Sequence, residues 1–162
     1  MTPDDPLLDL PALLRAAWEG RQELRSDPSQ TAYRLFHGYG EGCPGLSIDR
    51  LGEALIVTHV PELEPHLARV LEALEPLGLP RYVVSKLRRG RAEPRLLLGE
   101  ALPQELEVLD SGLRFAVEPT ARRNPGLYLD ARPARRWLLE NSRERRVLNL
   151  FAFTVSLGVA AA

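Results

Sequence analysis

The chain has little cysteine and no long apolar run. A single cysteine, Cys43, excludes an internal disulfide framework and suits a reducing cytoplasm. No apolar stretch approaches the ~20 residues that a membrane-spanning helix needs, and the acidic start, MTPDD, is unlike a secretory leader. With 44% hydrophobic and 27% charged residues, the composition is typical of a globular protein. We therefore expect a cytoplasmic globular protein.

Several common catalytic and binding patterns are also missing. The chain has no Ser-His-Asp order, no pair of carboxylates arranged for acid–base chemistry and no G-x-x-x-x-G-K phosphate loop. Its three histidines, His37, His59 and His66, lack metal-ligand spacing with one another and with Cys43. A nicotinamide-dependent oxidoreductase needs G-x-G-x-x-G after its first strand, and TVSLG at 154–158 lacks it. We predict no metal site and set the oxidoreductase aside.

The first two-thirds of the chain predict an α+β unit. A helix is expected over about 10–25, with Asp9 as its N-cap. Short runs separated by glycine-rich turns predict a β-meander, and an amphipathic pattern predicts a further helix. A hairpin turning at 110–112 comes next. The predicted strands are 31–38, 46–50, 54–60, 82–84 and 95–98, the second helix is 63–77, and the hairpin strands are 105–108 and 113–117.

The last part of the chain predicts the start of a doubly wound α/β sheet. Residues 147–151, VLNLF, have the near-continuous apolar character of a strand covered on both faces. A turn at 152–156 leads into a small-residue helix, where Gly158 would allow close packing. Ligands of such sheets bind outside the carboxyl ends of the strands, and anionic groups suit helix N-termini. Asp130 is a good N-cap for a helix over 132–141.

Three segments resemble a known family. They are GLYLDAR at 126–132, VLNLFAFTV at 147–155 and AYRLFHGYGEGCPGLSIDRLG at 32–52. All three are similar to segments of the class I S-adenosylmethionine-dependent methyltransferases that modify 23S ribosomal RNA. The resemblance implies an α+β accessory domain followed by the incomplete start of an α/β Rossmann-like methyltransferase domain. The implied divisions are 1–30 (helical segment), 31–102 (accessory domain) and 103–162 (hairpin and beginning of the methyltransferase domain).

The resemblance also implies where S-adenosylmethionine binds. Two departures from the family pattern stand out: Ala131 replaces a frequent glutamine, and Val155 replaces a glycine. A β-branched residue supplies a positive φ only at a cost. The turn is therefore either re-shaped or a weaker cofactor site. The implied cofactor-binding residues are Tyr128, Asp130, Arg132, Asn149, Phe151, Ala152 and Thr154.

The cationic residues are clustered, although the net charge is −1. A net charge near zero argues against a generally basic nucleic-acid binder but leaves room for a local patch. On the predicted helix 132–141 the arginines could instead form a solvated face, partly paired with glutamates and worth a few tenths of a kcal/mol per pair. Phosphate binding is favoured by their number beside the implied active site. The predicted RNA-binding residues are Lys86, Arg88, Arg89, Arg91, Arg122, Arg123, Arg135 and Arg136.

The implied catalytic machinery lies outside this sequence. A class I methyltransferase needs about seven strands, and its ribose-binding acid follows the glycine turn by ~20 residues. That acid and the family's Asp-Pro-Pro motif would lie past Ala162, so we predict no catalytic residue here and expect this chain alone to be inactive. Its exposed sheet edge should promote association, so an oligomer is possible. The alternative is a non-catalytic RNA-binding module, marked by salt-dependent RNA binding without cofactor.

Overall fold

The computed structural model describes residues 7, 9–78, 80–90, 92–150 and 153–162. Its main feature is a five-stranded sheet in which neighbours along the chain are also neighbours in space. The strands are β1 (Ala32–His37), β2 (Leu46–Leu51), β3 (Ala54–His59), β4 (Tyr82–Leu87) and β5 (Arg95–Leu98). The β3–β4 pair is parallel and the other three pairs are antiparallel.

A helical crossover joins the parallel pair, as parallel strands require. It begins with the 3₁₀ turn Pro61–His66, continues as α3 (Leu67–Leu74) and ends with the 3₁₀ turn Glu75–Leu77. The predicted helix 63–77 is therefore α-helical only in its middle. Pro65 and Pro76 account for this, because each lacks the N–H that an α-helical ladder uses.

One face of the sheet packs against helices. The predicted helix 10–25 is two helices, α1 (Leu10–Gly20) and α2 (Gln22–Ser26), which meet at Arg21. Apolar side chains of α1 and α3 interlock with inward-facing side chains of β1 to β4 to form the larger core. Its fully buried members include Leu10, Leu14, Tyr33, Leu35, Phe36, Leu46, Ile48, Val57, Val70, Leu74 and Val83.

The opposite face is only partly covered, by the hairpin β6 (Leu106–Asp110) and β7 (Leu113–Val117). The two turn residues, Ser111 and Gly112, have φ of 55° and 78°, which matches the primed turns that suit two-residue hairpins. The hairpin prediction is confirmed. A smaller core fills the space beneath it, with Ala54, Ile56, Tyr82, Val84, Val108, Phe115, Val117 and Leu127.

Two helices follow the hairpin. They are α4 (Arg132–Asn141), preceded by the 3₁₀ turn Leu129–Ala131, and the short α5 (Ser156–Ala161). The predicted strand 147–151 is wrong for its described residues: residues 147–150 form no strand, and Leu148 and Leu150 are 80% and 65% exposed. A strand needs a hydrogen-bonded neighbour, and within the described ranges none runs beside this segment. Phe151 lies outside the described residues.

The two predicted helix caps are borne out only in part. Asp9 occupies the N-cap position of α1, as predicted, but neither Asp9 nor Asp130 makes a side-chain capping hydrogen bond. Asp9 has φ −97° and ψ 5°, whereas a capping side chain needs an extended backbone. In α4 the cap position falls on Ala131, because the 3₁₀ turn Leu129–Ala131 begins the helical path before Arg132 and takes Asp130 into it.

Candidate cofactor and nucleic-acid site

The centre of the C-terminal part is a buried carboxylate, Asp110, at the end of β6. Its side chain is fully buried, and each oxygen accepts a hydrogen bond from a different arginine. Arg132 Nε donates to Oδ1 at 2.6 Å, and Arg135 Nε donates to Oδ2 at 2.6 Å. Because Arg135 is also fully buried, this cluster forms an ion-pair network shielded from water.

The same two arginines fix the backbone around them. Arg132 Nη2 donates to the carbonyl of Ala32 in β1, and Arg135 Nη1 donates to the carbonyl of Tyr128 at 2.8 Å. Asp110, Arg132 and Arg135 thus join the hairpin, the sheet and the segment before α4; we call these three residues the Asp110 junction. Arg135 was predicted to bind RNA; it is buried and engaged here, so we assign it to the fold instead.

The sequence contained a signal that Asp110 is buried, although Asp110 was predicted to belong to the hairpin turn. Strand residues alternate faces, so Leu106, Val108 and Asp110 share one face of β6. Val108 on that face is fully buried, which points the acid inward as well. A buried acid needs a cationic partner, and the arginines of α4 were the available ones.

The two segments that carry the cofactor prediction meet in the structure. The Thr154 hydroxyl donates to the carbonyl of Gly126 at 2.5 Å. The rings of Tyr128 and Phe153 lie 5.3 Å apart at 55°. Both rings are about half exposed, so together they form an aromatic wall that faces solvent. Two other predicted cofactor residues, Phe151 and Ala152, lie outside the described residues.

Asn149 is placed against the start of α5. A Cβ added to Gly158 would stand 2.9 Å from Asn149 Nδ2, so the prediction that Gly158 allows close packing is confirmed, although its neighbour is not a strand. Nδ2 is buried and has no hydrogen-bond partner in the described part of the chain. It is therefore an unsatisfied buried donor, which costs stability unless another group pairs with it.

Val155 adopts the left-handed conformation that glycine favours. Its φ is 62° and its ψ is 16°. The turn therefore keeps a positive φ despite the valine. For a residue with a Cβ this conformation costs roughly 1–2 kcal/mol, so strain is present beside the predicted cofactor residues.

A groove of about 1160 Å³ lies on the open part of the sheet. Its floor consists of strand side chains, and segment 119–132 forms one of its walls. Among the predicted cofactor residues it reaches Tyr128, Asp130 and Arg132. Eight cationic side chains and two carboxylates line it, namely Arg21, Arg34, Lys86, Arg88, Arg89, Arg122, Arg123 and Arg132 with Asp49 and Asp130.

The cations in this groove differ in how they are engaged. Lys86 Nζ donates to the carbonyl of Ala121 at 2.7 Å and to that of Arg123. Burial lowers the pKa of Lys86, and the nearby Asp49 partly opposes the shift. Lys86 therefore holds the loop that contains Ala121 and Arg123 against the sheet. Arg34 forms a bidentate pair with Asp49 at 2.6 and 3.0 Å.

Other predicted RNA-binding residues are more open. Arg89 and Arg123 are exposed, and Arg122 Nε lies 3.2 Å from a carboxylate oxygen of Glu93. Arg88 Nη2 donates to the Ser47 hydroxyl at 3.4 Å. Of the remaining two, Arg136 is exposed on α4 and does not line the groove, and Arg91 lies outside the described residues.

Sequence reasoning missed one aromatic residue on this groove, Tyr39. It lies in the glycine-rich turn between β1 and β2, is 69% exposed, and has the Arg88 guanidinium 5.9 Å from its ring centroid. Its signal in the sequence was an aromatic residue between two glycines, Gly38 and Gly40.

The described residues form neither a metal site nor a site with a reactive thiol. No group of three His, Cys, Asp or Glu side chains there could hold a metal ion. Burial raises the pKa of the Cys43 thiol, which keeps it protonated and unreactive. Across the same residues, no helix is both long and apolar enough to cross a bilayer.

Comparison with known proteins identifies the family. Residues 33–162 match the model for the S-adenosylmethionine-dependent methyltransferases. The chain is 33% identical over 140 residues to a "Ribosomal RNA large subunit methyltransferase" of Deinococcus radiodurans, covering 80% of this chain and 34% of that protein. It is 30% identical over 156 residues to "Ribosomal RNA large subunit methyltransferase I" of Erwinia tasmaniensis, covering 91% and 39%.

A solved structure agrees with the fold. A Streptococcus mutans protein described as "a putative sam-dependent methyltransferase" superposes with a TM-score of 0.89 at 22% identity, over 99% of this chain and 43% of that one. The chain thus spans between a third and two-fifths of the length of these curated relatives. The resemblance read from three sequence segments is confirmed. This chain belongs to the S-adenosylmethionine-dependent methyltransferase family.

Proposed function

We propose that this chain serves S-adenosylmethionine-dependent methylation of ribosomal RNA, by holding one end of the cofactor and guiding RNA to it. The observation that carries the proposal is the meeting of two family segments, joined by the Thr154–Gly126 hydrogen bond. The relatives named above are ribosomal RNA large subunit methyltransferases. An RNA substrate also fits a groove lined mainly by cations.

The residues at this meeting point fit a cofactor with a polar end and a flat ring. When bound, S-adenosylmethionine supplies an electrophilic methyl group. The buried Asn149 Nδ2 has no partner in the described chain and can donate to a carboxylate. The Tyr128 and Phe153 rings offer apolar contact, and the Asp110 junction holds the Tyr128 carbonyl in place. Arg132 is engaged by Asp110, so its proposed role is to position this segment.

We assign RNA binding to the groove cations and not to α4 as a whole. Arg88, Arg89 and Arg123 are the predicted residues best placed to meet phosphates, because they line the groove and, among the described residues, no carboxylate pairs with their guanidinium groups. Lys86 contributes by fastening the loop that carries Arg122 and Arg123. Such a partner also implies a cytoplasmic location.

The finer domain assignment belongs to the same proposal. In it, residues 31–102 form the accessory domain, with 1–30 as a helical segment before it, and 103–162 begin the methyltransferase domain. The separate two-stranded sheet of β6 and β7 supports a boundary near residue 102. The packing of α1 into the larger core means that the first segment is built onto the accessory sheet.

Binding of S-adenosylhomocysteine, measured by isothermal titration calorimetry, tests the cofactor half of the proposal. Removing a hydrogen bond to a charged group costs about 1.5–3 kcal/mol, so Asn149→Ala should weaken binding roughly 10- to 100-fold. Asn141→Ala is the matched control, because Asn141 Nδ2 donates to its own helix at the Trp137 carbonyl. It should bind like the wild type. Equal losses in both variants would contradict the assigned role of Asn149.

A second candidate is a non-catalytic RNA-binding module, favoured by the groove itself. The two functions differ in one measurement. A module would bind RNA with a steep salt dependence and show no heat with S-adenosylhomocysteine. That result would remove the cofactor role and leave the groove.

A further inference from the structure

Tyr39 lies at one end of the groove, in a turn whose backbone is held in place by packing and hydrogen bonds. A Cβ added to Gly38 would lie 2.0 Å from the Cys43 carbonyl oxygen, so the turn backbone is tightly packed there. Glu41 accepts a hydrogen bond from the backbone N–H of His37 at 2.6 Å and pairs with Arg21. The turn is held by these contacts, while the phenol ring itself remains 69% exposed. A large exposed aromatic on a fixed turn is arranged for contact with a partner.

The turns at this end of the sheet bring Tyr39 and Arg88 together. β1 ends at His37 and β4 ends at Leu87, and the parallel pairing of β3 with β4 brings His59 and Leu87 into register. The Arg88 backbone N–H donates to the His59 carbonyl at 2.7 Å. Its guanidinium then lies 5.9 Å from the centroid of the Tyr39 ring. The aromatic face and the cation are therefore presented as one surface.

From this end the groove follows the sheet toward the Asp110 junction. Arg132, at its far end, donates to the carbonyl of Ala32, the first residue of β1. β1 has six residues, which gives a length of about 17–20 Å at ~3.3 Å per residue. The groove thus connects Tyr39 with Tyr128 and Asp130, the segment proposed to lie beside the cofactor. A chain bound along it would be led toward the methyl donor.

The size of the groove and the side chains that line it favour single-stranded over duplex RNA. The groove has a volume of about 1160 Å³, which exceeds the roughly 300–1,000 Å³ of small-molecule sites. Its concave shape suits a flexible strand and not the rigid outer surface of a duplex. Duplex RNA is recognised through its minor groove and phosphates, whereas unpaired bases stack on aromatic side chains and arginine planes. Tyr39 beside Arg88 is such a platform.

We propose that the groove binds a single-stranded RNA segment, one base of which stacks on Tyr39, with its phosphates on Arg88, Arg89 and Arg123. The inference rests on the proposed function and deepens it, because it specifies that the RNA is single-stranded and names Tyr39 as the residue that contacts an unpaired base. Stacking needs only the ring, so the hydroxyl of Tyr39 is dispensable. The contact is tolerant of base identity, because every base has a π-face.

Fluorescence anisotropy with the whole chain tests this proposal. The probes are a short oligoribonucleotide of mixed sequence and the same strand annealed to its complement. The wild type should prefer the single strand. Tyr39→Ala should weaken single-strand binding roughly 5- to 100-fold, as loss of one stacked base does, and leave duplex binding unchanged. Tyr39→Phe should stay within about 2-fold of the wild type, since the ring is retained.

A matched control and a direct optical readout sharpen the result. Trp137 is 61% exposed on α4 and does not line the groove, so Trp137→Ala should bind like the wild type. With 2-aminopurine in the probe, stacking on Tyr39 should change the fluorescence on binding, and the change should persist in Tyr39→Phe and vanish in Tyr39→Ala. Equal losses in Tyr39→Ala and Trp137→Ala, or an unchanged Tyr39→Ala, would overturn the stacking assignment.

The failure of this inference and that of the proposed function remain distinguishable. Arg123→Ala should weaken single-strand and duplex binding alike and lower the salt slope by about one. If Arg123→Ala weakens binding while Tyr39→Ala does not, RNA binding stands and stacking fails. If the wild type binds no RNA, or polyglutamate competes as well as RNA does, the groove is not an RNA site and both proposals lose their nucleic-acid part. S-adenosylhomocysteine binding would be unaffected by either result.

Discussion

Replacing Asp110 by asparagine should be among the most destabilising conservative substitutions in this chain. Asparagine keeps the shape and removes the charge, which leaves the fully buried Arg135 without its counter-ion. Breaking a buried ion pair from one side costs about 3–5 kcal/mol, against a total stability of about 5–15 kcal/mol for a domain. The loss is therefore a large fraction of the free energy of unfolding.

Urea unfolding followed by tryptophan fluorescence and far-UV circular dichroism measures this loss. Asp49→Asn is the matched control, because Asp49 also forms a bidentate pair with an arginine, Arg34, but at a site where the side chains are 18% and 42% exposed. Pairs that water can reach contribute about 1 kcal/mol or less. The two asparagine substitutions should thus differ by at least about 2 kcal/mol.

A double variant separates the buried charge from the lost hydrogen bonds. If the unpaired guanidinium is what costs stability, Asp110→Asn with Arg135→Met should be more stable than Asp110→Asn alone, because the second change removes the uncompensated charge. Additive losses in the double variant would refute this account. So would an Asp110→Asn loss as small as that of Asp49→Asn.

Three further predictions concern backbone strain, close packing and the loop over the sheet. Val155→Gly should raise the free energy of unfolding by about 1 kcal/mol because it relieves a strained φ, whereas Val159→Gly, at a helical valine of similar exposure, should lower it by roughly 0.5 kcal/mol. A Cβ at Gly38 would meet two carbonyl oxygens at 2.0 and 2.3 Å, so Gly38→Ala should lower the free energy of unfolding by about 1–3 kcal/mol, measured by thermal unfolding. Gly20→Ala is the control and should cost no stability, because a Cβ there would meet nothing within 4 Å. Lys86→Met should speed tryptic cleavage in the loop whose carbonyls Lys86 binds; an unchanged rate would show that other contacts hold the loop.

The sheet and the hairpin could be predicted because their signals are local. Glycines and the Ser111-Gly112 turn separate runs whose alternation fixes which side chains face inward, and this accounts for six of the seven strands within about two residues at either end. β4 was longer than predicted, extending to Leu87. Its last residues, Ser85 to Leu87, lack a continuous apolar run, and only pairing with β3 shows that they continue the strand.

The segment after α4 was mispredicted because its signal is conditional on a neighbour. An apolar run such as VLNL at 147–150 becomes a strand only when another strand supplies hydrogen bonds to it. Sequence periodicity reports which side chains could be buried, not whether a partner is there to bury them. The predicted cap of α4 failed for a related reason: Asp130 has the right residue type, but the 3₁₀ turn that takes the cap position depends on packing around Leu129.

Arginines were easy to find in the sequence and hard to assign from it. Arg135 and Arg136 are adjacent in α4, yet one is fully buried on Asp110 and the other is exposed. A count of cations therefore overstates the RNA-binding surface, because the burial of one acid in β6 decides which guanidinium turns inward. Since that guanidinium also holds the Tyr128 carbonyl, the Asp110 junction links the hairpin to the proposed cofactor segment. Loss of Asp110 should consequently weaken cofactor binding as well as stability, although Asp110 itself lines no part of the groove.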